Sequence, residues 1–163
     1  MPTNEASFVP QRYNRQVSRP PLHPTLVHFP FLLWGMSFVF DVVSLWRGPT
    51  MVEAALFNLI AGLAAAMAAA VTGLWDYLNR LEPRTPARRT ARWHAVTNGA
   101  ATALFVGSLA TRWSTRGATT STPQVPFVLS GLGLALLGVG MYLGGVVAYQ
   151  RNLTKPPQSP ADH

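Results

Sequence analysis

Apolar and polar positions along this chain fall into long blocks, not short amphipathic periods. Nearly uncharged apolar runs at about 24–46, 51–78, 93–113 and 125–149 are separated by short segments rich in Pro, Gly, Ser, Thr and Arg. About 20 apolar residues in a helix cross about 30 Å of hydrocarbon. The pattern therefore predicts an all-α, four-transmembrane-helix bundle over 23–150, with a polar Pro/Arg-rich tail at 1–22 and a polar tail at 151–163. Trp46-Arg47-Gly48-Pro49 ends the first run with an interfacial aromatic, a charge and two helix breakers. The middle of the second, 61–70, is almost all small residues, which let neighbouring helices approach closely. In the fourth run Gly131, Gly138 and Gly145 recur every seven residues and Gly140 to Gly144 is a GxxxG pair, both suited to close packing. No internal repeat and no broken helix is expected, which sets a transporter aside.

Composition strengthens the membrane assignment. Charged residues make up 12% of the 163, about half the share usual in soluble domains. The net charge of +7 is carried by residues that flank apolar runs, so it speaks for topology and not for nucleic acid. With four crossings, Arg12, Arg15, Arg19, Arg80, Arg84, Arg88, Arg89, Arg92, Arg151 and Lys155 fall on one side and only Arg47, Arg112 and Arg116 on the other. Ten against three places both termini in the cytoplasm. No apolar stretch precedes Leu26, so no signal peptide is expected. The chain has no cysteine, which excludes disulfides and thiolate ligation.

The polar residues inside the runs are the candidates for function, because ionisable groups in a bilayer are costly without a partner or a task. His28 opens the first run within His23-Pro24-Thr25-Leu26-Val27-His28-Phe29-Pro30, Asp76 closes the second, His94 opens the third and Tyr149 closes the fourth. Alternating helix direction brings all four to one depth. With Asn98, one turn from His94, they are expected to form an inward-facing polar cluster, His23 standing at its rim. At the opposite end Asp41, Asn58 and Arg112 are expected to form a second, smaller cluster.

His23-Pro24-x-x-Val27-His28-Phe29-Pro30, Gly73-Leu74-x-Asp76-Tyr77, a His opening the third helix and Gly144-Gly145-x-x-x-Tyr149 together resemble a family of small bacterial four-helix membrane proteins catalogued as domain of unknown function 2231. The resemblance covers roughly 22–150, with Gln150-Arg151-Asn152 standing where the pattern usually continues with Gly. It implies a multi-pass protein of the bacterial inner membrane. Members often occur beside or fused to redox modules, including Rieske-type iron–sulfur domains, which implies a link to electron transport.

Two functions follow as expectations. The first is a non-catalytic accessory or scaffold subunit of a larger respiratory or photosynthetic membrane complex, with the bilayer and other membrane subunits as partners. On this view the inner cluster is a hydrogen-bonded lock with no cofactor. The alternative is a small electron-transfer protein that binds b-type haem through His28 and His94, with Arg88, Arg89 or Arg92 near its propionates. A metal site of His28, His94 and Asp76 lacks a recognisable ligand spacing, and no nucleophile stands beside a His and an acid, so no enzyme is expected.

Overall fold

The computed structural model describes residues 22–114 and 124–153. The expected tails and the Ser/Thr/Gly turn after the third run lie almost wholly outside the described residues. The helices are α1 (Leu22–Leu26), α2 (His28–Arg47), α3 (Pro49–Arg80), α4 (Pro86–Ser114) and α5 (Gln124–Leu153).

Local chemistry sets these boundaries. Pro30 has no N–H for the Leu26 carbonyl, and its ring crowds that position, so the first run breaks at Val27 into α1 and α2. Gly48, at φ 74°, makes the sharp turn into α3, which opens on Pro49. Thr85 caps α4: its Oγ1 accepts from the Arg88 N–H at 3.3 Å, and Pro86 occupies the first helical position.

Three stretches are long and apolar enough to cross a bilayer: Leu22–Arg47, Pro49–Arg80 and Gln124–Arg151. Three of the four expected crossings are thus supported by length and composition. Helix α4 is as long as the others but starts with Arg88, Arg89 and Arg92 and carries His94, Asn98 and Arg112 along its face. Large apolar side chains such as Leu32, Phe57, Met67, Val71, Leu132 and Tyr142 point outward from the bundle, the arrangement lipid requires.

The helices form a four-membered ring. Helices α2 and α3 pack closely, as do α4 and α5, while α3–α4 and α2–α5 touch more sparingly. Helices α2 and α4 lie diagonally and run parallel, meeting only through side chains on the central axis.

Here the structure overturns the expectation of no repeat. A shift of 71 residues aligns the first helix pair with the second. It pairs His23 with His94, Trp34 with Phe105, Ser37 with Ser108, Asp41 with Arg112, Gly62 with Gly133 and Gly73 with Gly144. The contacts repeat with the residues. Ser37 Oγ donates to the Ala55 carbonyl at 2.8 Å, and Ser108 Oγ donates to the Pro126 carbonyl at 2.9 Å. A Cβ on Gly62 would stand 2.5 Å from the Trp34 ring, and one on Gly133 2.9 Å from the Phe105 ring. Across the axis each residue meets its own equivalent: Trp34 stacks on Phe105 with ring centroids 4.0 Å apart. Such self-equivalent contacts are the mark of a two-fold axis, here running along the bundle between parallel repeats.

The core is built from the same seam. Trp34, Leu59, Ala101, Phe105 and Leu137 are buried together. The expected glycine stripe of the fourth run is only partly used. A Cβ on Gly138 or Gly145 would meet nothing within 4 Å, whereas Gly133, Gly140 and Gly144 each lie against a side chain of α4.

A stability test follows. Gly62→Ala forces the Trp34 ring, which is held by its Nε1 bond to the Leu59 carbonyl at 3.3 Å, off its seat. Displacement in a packed core costs about 1–3 kcal/mol and outweighs the roughly 1 kcal/mol that Ala gains over Gly in helix propensity. Gly133→Ala follows with a smaller loss, and Gly35→Ala, which meets open space inside α2, gains up to about 1 kcal/mol. Thermal unfolding of the three variants in detergent measures the order.

Candidate functional site

The inner polar cluster forms around different residues from those expected. His23, not His28, faces the axis, and its ring stands 6.0 Å from that of His94, with the planes at 89°. His23 lies 11 residues before Trp34, about three helical turns, and so shares its inward face; His28 is about 120° away and is exposed. Each ring is tethered by Nδ1. His23 Nδ1 donates to the Ala69 carbonyl at 2.8 Å, and His94 Nδ1 to the Gly140 carbonyl at 2.7 Å. Donor and acceptor are 46 residues apart in both cases, so the two tethers are equivalent under the repeat. Carbonyls only accept, so each Nδ1 carries a proton and, in the neutral ring, each Nε2 keeps its lone pair.

Glycine makes both seats. A Cβ on Gly73 would stand 2.7 Å from His23 Cε1, and one on Gly144 3.0 Å from His94 Cε1. Only a bare backbone lets the imidazoles lie this close to α3 and α5. The halves differ beside the rings. Asn98 donates to the His94 carbonyl at 2.8 Å and lies 3.5 Å from His94 Nε2, while its equivalent in the first repeat is Val27.

The other expected members lie elsewhere. Asp76 pairs with Arg80 at 3.2 Å within α3, one turn along a partly exposed face. Tyr149 is 65% exposed on the outside of α5. Both lie off the seam of buried positions that carries Ala69 and Gly140. The expected lock of His28, Asp76, His94, Asn98 and Tyr149 is therefore not assembled; His94 and Asn98 are its only members in contact. His23, which sequence reasoning left at the rim, was identifiable by its 71-residue offset from His94.

At the opposite end Asp41 and Arg112 meet across the axis, with Arg112 Nη1 donating to Oδ1 at 2.7 Å and Nη2 to Oδ2 at 2.5 Å. Both residues are buried. Arg112 Nε also donates to Ser108 Oγ at 3.2 Å, and Ser108 and Ser130 hydroxyls lie 2.9 Å apart. Asn58 is not part of this cluster: its Nδ2 donates to the Ala54 carbonyl at 2.9 Å in its own helix. It sits one position before Leu59 and so misses the axis.

The family model that matches the sequence is described as a predicted membrane protein, DUF2231, and it aligns with residues 19–156. The chain belongs to the DUF2231 family. No curated protein and no solved structure matches it. The matched stretch spans both helix pairs, so the histidine pair and the Asp41–Arg112 pair both fall within the family domain.

Among the described residues no group of three or more His, Cys, Asp or Glu is placed to hold a metal ion. The donor set on the axis is thus two imidazoles and no more. A bare divalent ion needs four or more ligands. Two imidazoles would complete the protein's share for an iron whose other four ligands a porphyrin would supply.

Proposed function

We propose that this DUF2231 protein is a small membrane electron-transfer protein that binds one b-type haem between His23 and His94. The observation that carries the proposal is the equivalent pair of Nδ1-tethered imidazoles 6.0 Å apart on the bundle axis. Metal-ligating histidines characteristically donate the second ring N–H to a backbone carbonyl, which fixes tautomer and orientation. Both rings are held in that way. Ala69 and Gly140, whose carbonyls hold the rings, and Gly73 and Gly144 beside them bring little or no side-chain bulk to this level. A haem supplies one-electron redox chemistry when bound. The chain's own part would be to hold the two rings, each fixed by its Nδ1 tether, on the bundle axis.

The proposal includes four crossings. Helix α4 is the equivalent of α1–α2, runs against α5 and keeps its polar residues on the axis, so it spans with its partners despite its lower hydropathy. Both termini then lie on the cytoplasmic side of a bacterial inner membrane, by the ten-to-three distribution of basic residues. Association with other membrane redox subunits is the natural setting for an electron carrier of this size.

The test is the visible spectrum of the purified full-length protein made in haem-sufficient cells. One haem per chain, with the sharp reduced bands of a low-spin iron, is the expected result. A folded protein that stays colourless after haem addition overturns the haem site and leaves the non-catalytic accessory subunit, with its histidines serving helix packing alone.

A further inference from the structure

At the end of the bundle that carries the histidines, the turn between α3 and α4 encloses a cavity of about 520 Å³ lined by Tyr77, Arg84, Thr85, Arg88, Arg89 and Arg92. Four guanidinium groups and no carboxylate line it. Of the nearby acids, Asp76 is taken by Arg80 and Glu82 points outward in the turn. Arg88 is part of the wall: Nη1 donates to the Leu81 carbonyl at 2.6 Å, and the guanidinium stacks on Tyr77 at 4.4 Å. Arg84, Arg89 and Arg92 are exposed, and no described residue takes a hydrogen bond from the side chains of Arg89 and Arg92.

We infer that this cleft binds the phosphate headgroup of an anionic membrane phospholipid. Arginine clusters recognise phosphate by paired, charge-assisted N–H donors. The surroundings select a lipid over a soluble phosphate. One helical turn deeper from Tyr77, Arg89 and Arg92 stand Leu74, Trp93 and Val96, each more than half exposed. They continue the cleft as an apolar strip on which acyl chains lie, with Trp93 at the level where interfacial aromatics sit. Arg84, Arg89 and Arg92 are exposed, so they serve a ligand from the bilayer and not a group held between the part-buried histidines. The inference does not depend on the haem site.

The experiment titrates the full-length protein in detergent with phosphatidylglycerol, with phosphatidylcholine and with inorganic phosphate, following thermal stability and bound lipid by native mass spectrometry. Phosphatidylglycerol is expected to bind and stabilise, and the other two are not. The double variant R89Q/R92Q is expected to bind it about thirtyfold more weakly, from about 1 kcal/mol per basic residue near an anionic surface. Equal binding of phosphatidylcholine, an equal shift from inorganic phosphate alone, or unchanged affinity in the variant overturns the inference. The wild-type arms decide the matter even if the variant does not fold.

Discussion

Arg112→Gln is expected to destabilise the bundle by about 3–5 kcal/mol, and Asp41→Asn by a similar amount. Arg112 is 4% exposed and Asp41 is fully buried, so removing either partner leaves an uncompensated charge inside a membrane helix bundle. Arg112 also orders Ser108 and Ser130, which lose their charged partner with it. The two-fold arrangement makes a more specific demand. Positions 41 and 112 are equivalent, so the exchanged pair D41R/R112D can rebuild the bridge across the same axis. It is expected to recover much of the loss, though not all, because Leu59 stands where the second repeat has Ser130. Thermal unfolding of the two single variants and the exchange in one detergent checks this. Single variants within about 0.5 kcal/mol of wild type would place the pair among ion pairs that contribute little. An exchange no better than the singles would deny the equivalence of the two halves. The same pair explains why the halves join to each other: two copies of the first would bring Asp41 against Asp41, and two of the second Arg112 against Arg112.

The block pattern of the sequence carried the fold far. Long apolar runs with breakers between them marked the helices, to within about four residues except at the start of the third, which begins seven residues early at Pro86, because the bilayer demands length and uniform hydropathy. Asp41 and Arg112 were legible as partners, since each is the lone deep charge of its run. What escaped was the face of each residue. Depth alone favoured His28 over His23, since His28 sits further into the first run. The helical phase decides otherwise: Pro30, Trp34, Ser37, Asp41 and Ser44 are buried at steps of four and three, and the same steps traced back pass through Val27 to His23. Asp76, Tyr149 and Asn58 were misplaced for the same reason, at the right depth but off the seam. The repeat was hidden because the halves share few identities. Several lie where backbone or ring contacts leave no choice, as at His23 and His94, Ser37 and Ser108, Gly62 and Gly133, and Gly73 and Gly144. Elsewhere lipid accepts any apolar residue, so the two halves have diverged freely.

His23→Ala and His94→Ala are each expected to abolish haem binding, whereas His28→Ala leaves it intact. A single imidazole cannot hold a bis-ligated iron, and neither half offers a second donor: among the described residues no other His, Cys, Asp or Glu joins the pair. His28 is exposed and outside the seam, so its removal touches neither ring. The tethers predict a graded effect too. Gly73→Ala and Gly144→Ala push a Cβ into His23 and His94 and are expected to weaken haem binding by about 10–100-fold, the usual cost of disturbing the shell that orients a ligand. Far-ultraviolet circular dichroism of each variant separates loss of the site from loss of the fold. The most direct measurement is therefore the absorption spectrum of the three single histidine variants, purified side by side from haem-sufficient cells. The two-fold site predicts a Soret band in His28→Ala that matches wild type and none in His23→Ala or His94→Ala. A band that survives in His23→Ala and vanishes in His28→Ala would contradict it.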